Sequence, residues 1–439
     1  GSTHVDFRPY HFNTLRCWLN VKDDRQFFQP FKITADKKGC RFYMRLPCVP
    51  QNKSFSFNRL NAKKLTANCQ LLKKVPVKIL FLESFFGGSH QDFATGFKEH
   101  SRHTINLVTM PARFWKWRMR GAALYMLDQI RDIEAYDAVF ATDMMDLTDF
   151  KSLAGHASPP VLIYFHENQL SYPVSSGEKR DFHLGFTNIV SAAAADGVMF
   201  NSNFHFNAFM EDAHALMGKL PDFRPKGLLE RIGKKAQIAY PGCRFASDGI
   251  KKIDSIDSPP LIVWNHRWEH DKNPDRFYNA LVSLQKENIP FSLAVMGENY
   301  EKSPGVFERI YKRFKDQIRV FGYVENRDEY ISWLQQGAVV VSTADQENFG
   351  ISVVEAVRYG CLPLLPDRLS YPELIPRPYH KQILYRSDND LAEKLKLVLS
   401  GTDSYARLRE DLSGHMAQFS WQKRIQQYDD TLQSMQKIS

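Results

Sequence analysis

No stretch of about eighteen consecutive apolar residues occurs in this 439-residue chain, so no segment of it reads as membrane-spanning. No hydrophobic leader opens it, and the first two residues, Gly1 and Ser2, read as an expression scar with no bearing on the fold. Cysteine is scarce: the six are irregularly spaced and include no Cys-x-x-Cys pair. That excludes a disulfide framework and fits a reducing, cytoplasmic setting. Apolar residues make up 43% and charged residues 24%, an ordinary globular profile, and the length exceeds what one core can serve.

Acidic residues are nearly missing from one place. Residues 1–75 hold 15 basic against 4 acidic residues, a net +11, while the remainder carries 43 basic and 45 acidic, a net −2. The excess positive charge of the chain, +9 overall, therefore sits in an N-terminal block. Cys17, Cys40, Cys48 and Cys69 lie there too, without a clear helical or strand period. Such a block reads either as an RNA-binding appendage or as a loosely folded extension foreign to the core.

The organised chain begins with the apolar strand Val77–Leu82, followed by Glu83, Gly87, Gly88 and His90 and a helical stretch from Gln91. Strand candidates recur at 105–109, 137–142, 161–166, 197–201 and 237–240, with helical segments between them. The polar stretch 247–260 reads as a linker. A second alternation follows, with strands at 261–265, 291–296, 317–321, 338–342, 362–365 and 382–385. This pattern predicts an α/β protein with two Rossmann-like, doubly wound domains facing across a cleft. The expected divisions are a basic extension 1–75, an acceptor domain 76–245, a donor domain 246–418, and a C-terminal helix 419–439 returning to the first domain.

Chemistry-bearing residues fall at the expected strand ends. Gly87 and Gly88 let backbone approach a phosphate or sugar, though such a pair also makes plain turns. His166, Glu167, Asn168 and Gln169 follow one strand; a buried, self-satisfied His is the alternative. Arg267 and Lys272 follow the first strand of the second half and offer fixed cations to a diphosphate. Glu347 and Glu355, with seven residues between them, flank Asn348, Phe349, Gly350 and Ile351, where a glycine turn opens a helix over 350–360. On one helix the two carboxylates would lie about 12 Å apart along its axis. Lys116, Arg118 and Arg120 interleave with Trp115 and Trp117, as RNA stacking or an amphipathic helix start would require. Asp143, Asp146 and Asp149 read as caps or solvated positions, or alternatively as a carboxylate beside an amine-bearing acceptor. Asp388-Asn-Asp390 could hold a metal but precedes a helical run, so it reads as an N-cap.

Together these residues resemble the retaining GT-B glycosyltransferases, whose signature is a Glu-x7-Glu motif, an Arg and a Lys five residues apart, and an N-domain His. The resemblance implies that Arg267 and Lys272 bind the donor diphosphate. Backbone of 348–351 would meet phosphate and sugar, Glu355 the ribose, and Glu347 and His166 the sugar. The words spanning 83–90, 111–118, 164–173 and 221–226 are closer still: they are similar to the tRNA-queuosine α-mannosyltransferase family. That family implies mannose transfer from GDP-mannose to the cyclopentene-diol of queuosine in a tRNA anticodon, with His90, Glu167, Asn168, Gln169 and the 116–120 cations on the acceptor side. No metal or other cofactor is expected. The extension 1–75 departs from the family's pattern. Rival functions are a GT-B enzyme acting on a lipid or polysaccharide, with Trp115–Tyr125 as the segment lying on a bilayer, and a non-catalytic nucleotide-sugar or RNA-binding module. The sequence leaves guanine against uracil, the acceptor and the oligomeric state open.

Overall fold

The computed structural model describes residues 76–173, 180–246, 259–298 and 305–435, together with the backbone of four short strands between residues 5 and 42. The chain divides into two compact units, 1–72 and 73–439. In the first, Val5–Pro9 pairs antiparallel with Leu15–Leu19, and Ile33–Asp36 with Gly39–Phe42. These four strands form where the sequence has no clear period. The rest of the basic block, and most of the 247–260 linker, lies outside the described residues.

The second unit holds two six-stranded parallel sheets. In the first, β1 (Lys78–Phe86), β2 (Thr104–Pro111), β3 (Ala138–Thr142), β4 (Val161–Phe165), β5 (Gly197–Phe200) and β6 (Ala236–Ile238) lie in the order β6-β5-β4-β3-β1-β2. The helices between them are α1 (Gly88–His100), α2 (Trp115–Asp128), α3 (Leu147–Ala154), α4 (Phe182–Ala194), α5 (Asn203–Gly218) and α6 (Leu228–Lys235). In the second sheet, β7 (Leu261–Trp264), β8 (Ser292–Met296), β9 (Ile318–Gly322), β10 (Gly337–Val341), β11 (Leu362–Pro366) and β12 (Leu384–Tyr385) run β9-β8-β7-β10-β11-β12. Strands β3, β4, β7, β8, β10 and β11 are buried throughout, as parallel strands covered on both faces must be. Each sheet reverses its winding once, between β1 and β3 in the first and between β7 and β10 in the second. Ligand crevices open at such switch points.

Several local expectations shift. The first helix starts at Gly88, not Gln91, because Gly88 (φ +51°) turns the chain directly off β1. The segment 382–385 yields only a two-residue strand, since His380–Ile383 forms a helical turn first. The cap before 388 is Ser387, whose hydroxyl accepts the Asp390 N–H; Asp388 and Asp390 are inside the helix Asp388–Ser400.

The last helix, Trp421–Met435, packs on the first sheet's side of the unit. Trp421 joins the Phe81, Phe93, Phe97 and Tyr428 core. Tyr428 donates to the carbonyls of Ala239 and Tyr240, and Asp429 accepts from the Ser101 hydroxyl and the Arg102 N–H. The indole fits because residues 96 and 242 are glycines: a Cβ at either would lie 2.1 Å from it. Trp421→Ala should therefore destabilise the chain by roughly 3–5 kcal/mol, since the ring's burial is lost and a cavity remains. Denaturant titration would check this; a loss well under about 1 kcal/mol would show that the helix is a passive appendage.

Candidate active site

On the first sheet, strand β1 carries its apolar run into Glu83, which is fully buried. The carboxylate accepts the Phe85 N–H at 2.9 Å and lies 3.3 Å, through both oxygens, from Nδ1 of His90. Its Oε2 is also 4.0 Å from Nε2 of His166, which follows β4. The two imidazoles are 4.1 Å apart, and Phe93 and Tyr164 present their rings edge-on to His166. Asp143, at the end of β3, accepts the His166 N–H at 2.8 Å. Because β3 lies beside β1, the sheet order itself brings Glu83, Asp143, His90 and His166 together.

The charges follow from this packing. Burial is the largest single influence and lowers His90, but the charge and hydrogen bond of Glu83, with Asp143 and Glu167, together outweigh it and push the imidazole up to about 9. Burial raises the Asp143 carboxyl, Glu167 and Glu83 adding to it against His90, up to about 8. Burial and then the His90 cation hold His166 well below its usual value, so it is neutral. Its Nε2 is buried and makes no hydrogen bond.

Asn168 shapes the turn: its side-chain oxygen accepts the N–H groups of Leu170 and Ser171, and the residue is fully buried. Gln169 donates to Glu167 and takes Asn188 through its backbone. Thus of the four residues expected to face the acceptor here, Asn168 is spent on the turn. His90 is spent on Glu83. Asp143 is neither a cap nor solvated, whereas Asp146 does cap α3. Gly87 abuts Ala112, where a Cβ would approach within 2.5 Å, so packing alone requires its glycine.

On the second sheet, β7 leads into Asn265–Lys272 and β10 into Glu347–Gly350, side by side at the switch point. The close passage of Gly297 under His266 requires a glycine, since a Cβ would sit 1.9 Å from the His266 oxygen. Lys272 is buried and donates to the Gln346 carbonyl at 2.8 Å, with Asp271 at 3.0 Å and Glu347 at 3.3 Å. Burial opposes its charge, but Glu347 and Asp271 keep it above the usual lysine range. Arg267 is exposed and pairs with Glu269 at 3.2 Å.

The helix that opens here spans only Ile351–Arg358, with Gly350 at φ +97° before it. Glu347 therefore precedes the helix, and the 12 Å axial spacing expected for one helix, about 1.5 Å per residue, does not apply. The N–H of Phe349 approaches Glu347 at 3.5 Å, and Asn348 reaches across to the His166 carbonyl at 3.4 Å. That contact places the two halves of the site face to face. Glu355 is buried and ion-paired with Arg327, with Tyr330 beside it.

The 116–120 cations are spread around the start of α2 rather than grouped. Arg118 folds back onto the Pro111 carbonyl, Arg120 faces Asp146 and Thr187, and Lys116 lies over Trp115. Successive helical residues turn by about 100°, so only Lys116 and Arg120 share a face. Sequence reasoning missed Glu83, Arg327 and Tyr330 beside the candidate site residues, and it offered Asp143 only as one of three carboxylates. Glu83 had one available signal: a carboxylate that continues an apolar strand into a Gly-Gly turn. Among the described residues, one group could hold an ion: Glu83, His90 and His166, with ligand atoms within 4.8 Å of one another. Asp388 and Asp390 are instead engaged by Arg276 and by Lys394.

His90 and Asp143 both bind their protons more tightly in the folded chain, so each contributes stability that is complete at low pH. For Asp143 it is lost as pH rises from 3.8 through about 8, and for His90 from 6.5 through about 9. Tm should fall between about pH 6 and 9.5, and His90→Gln with Asp143→Asn should flatten that slope. A Tm that rises over this range in the parent would contradict the assignment.

Comparison with known proteins bears on the family and the fold. Residues 78–243 match the tRNA-queuosine alpha-mannosyltransferase N-terminal family, and 247–412 match the glycosyl transferases group 1 family. A tRNA-queuosine alpha-mannosyltransferase from Drosophila melanogaster is 36% identical over 327 residues, 72% of this chain and 85% of the relative. Among solved structures, HepE of Anabaena in complex with UDP aligns at a TM-score of 0.58 and 15% identity, covering 81% of this chain and all (100%) of that one. Sucrose-phosphate synthase from Thermosynechococcus elongatus aligns at 0.60 and 13%, covering 80% and 97%. These structures share the GT-B architecture of two doubly wound domains. The two family matches, in tandem across both halves, and the identity to the fly enzyme show that this chain belongs to the tRNA-queuosine α-mannosyltransferase family.

Proposed function

We propose that this protein transfers mannose from GDP-mannose to the cyclopentene-diol of queuosine in a tRNA anticodon, with retention at the anomeric carbon, in the cytoplasm. The observation that carries the proposal is the buried Lys272 at the second switch point, opposite His166 across the Asn348 contact. It is joined by the identity to the fly enzyme, which spans both halves.

In the proposed mechanism the sugar–phosphate bond breaks through a charge-separated state. Lys272 and Arg267 face the charge that grows on the leaving diphosphate. Glu347, already held by Lys272, turns its other oxygen to the sugar hydroxyls. His166, neutral, lies on the acceptor side of the sugar with its Nε2 turned toward Glu83. The acceptor hydroxyl attacks on the face the phosphate leaves, and a phosphate oxygen takes its proton. Fixed cations replace a divalent ion in this scheme.

Incubation with GDP-mannose and queuosine-bearing tRNA, followed by nucleoside mass spectrometry, should reveal a hexose on queuosine. No addition would refute the proposal, and transfer to a polyprenyl-linked acceptor instead would favour the lipid reading. Lys272→Ala and Arg267→Ala should each lower turnover by about two orders of magnitude or more, with donor affinity less affected, since the cations act mainly on developing charge. Parental turnover in either would remove that residue from the site.

Activity should persist in EDTA. Loss on chelation with recovery on adding Mn²⁺ or Zn²⁺ would instead direct attention to Glu83, His90 and His166, the group among the described residues able to hold an ion.

A further inference from the structure

The loop between α5 and α6 exposes Phe223 almost completely, at 96%. Its φ of +42° is a left-handed conformation that an L-residue other than glycine rarely adopts. A large aromatic held outward in a strained backbone is a mark of a binding position rather than of packing. Arg224 and Lys226 flank it on the same exposed loop. Just before the loop, Lys219 lies 4.7 Å over the half-exposed ring of Phe182.

Lys219 and Phe182 also line a cavity of about 320 Å³, together with Arg180, Asp212, Gln169 and Ser171. Its size is at the lower end of the roughly 300–1,000 Å³ that small-ligand sites occupy. Arg180 donates to the carbonyls of Gln169 and Leu170 at 3.2 and 2.6 Å. One wall of the cavity is therefore the same turn that begins at His166. The lining mixes an aromatic face with Asp212 as acceptor, Gln169 and Ser171 as donor or acceptor, and cations at the rim. Those are the requirements of an unpaired base with its phosphates: a flat stacking surface, edge hydrogen bonds, and positive charge outside. The cations Arg180, Lys219, Arg224 and Lys226 alternate here with Asp181, Glu211, Asp212 and Asp222, so phosphates would be met by individual side chains rather than by a net positive patch.

We infer that this cavity and the Phe223 loop form a second RNA site, in which an unpaired nucleotide near the one being modified stacks on Phe182 while Phe223, Lys219, Arg224 and Lys226 take the next base and its phosphates. The inference rests on the proposed tRNA acceptor and adds to it a surface separate from the cations on α2. The RNA thus touches the first half at two places, the active cleft and the outer side of α5.

The test compares the parent with Phe223→Ala/Lys219→Ala/Arg224→Ala/Lys226→Ala, and with Phe223→Tyr and Phe223→Leu alone, after Tm confirms that each folds. Binding of queuosine-bearing tRNA is followed by fluorescence anisotropy over a range of salt, and mannosylation is followed with the tRNA and with free queuosine nucleoside. The quadruple variant should raise the Kd and the KM for tRNA by about tenfold or more and leave kcat unchanged. Its log Kd against log salt should flatten by about 2, the share of three lost phosphate contacts on a single strand. Free nucleoside, which cannot reach the second site, should react as with the parent. Phe223→Tyr should retain affinity and Phe223→Leu lose it. Parental tRNA affinity and salt slope in the quadruple variant would overturn the inference, and so would equal loss with the free nucleoside. A parent that binds tRNA through this loop but transfers no mannose would refute the proposed activity and leave the site standing.

Discussion

A single buried ammonium organises the second half. Lys272 has no place in a dry interior unless its charge is met, and it is met by loops from two different strands: Asp271 from its own, and Gln346 and Glu347 from the neighbouring one. The same stitching continues beside it, where the Asp345 N–H donates to the Asp271 carbonyl and the Thr343 hydroxyl to that of Lys272. Because both strands end at the switch point, fixing their loops also fixes Gly350, the start of the following helix and Asn348, which reaches the other half. The result is a cation already desolvated and oriented at the switch point, its counter-charges being carboxylates on two adjacent loops.

The first half solves the opposite problem. Three carboxyl groups, Glu83, Asp143 and Glu167, surround two imidazoles, one of which takes up a proton and one of which is denied it. His90 is paired with Glu83, and burial, with the His90 charge 4.1 Å away adding to it, keeps His166 neutral. Two histidines of the same composition thus differ in role through position alone. Asp143 meets the backbone of His166, so the loop that carries the neutral imidazole is anchored by a carboxyl whose own ionisation is costly.

Strand ends are legible in the sequence, because a polar word after an apolar run is a local signal. Lys272, Glu347, Gly350 and His166 stand out that way. Adjacency created by sheet order leaves no such trace. Glu83 and Asp143 are 60 residues apart in the chain and meet because β1 neighbours β3. Arg327 meets Glu355 only through the packing of two helices. The 116–120 cations look like a cluster in the sequence, but closeness along a chain is not closeness on a helix surface. Asn168 looks like an acceptor ligand because a turn-forming Asn and a ligand-binding one are alike in one dimension.

The returning C-terminal helix has a consequence for biosynthesis. The chain leaves the first half at Cys243 and comes back beside it at Ser420, where the two segments bridge, the Cys243 N–H donating to the Phe419 carbonyl at 2.7 Å. Trp421, Tyr428 and Leu432 are core residues of the half that is translated first. On the ribosome, the N-terminal sheet must therefore wait, with Phe93, Phe97 and Tyr164 uncovered, until the second sheet and residues 421–432 have emerged. Order of synthesis and order of completion are reversed, and the two halves cannot be separated by cutting the chain once between them.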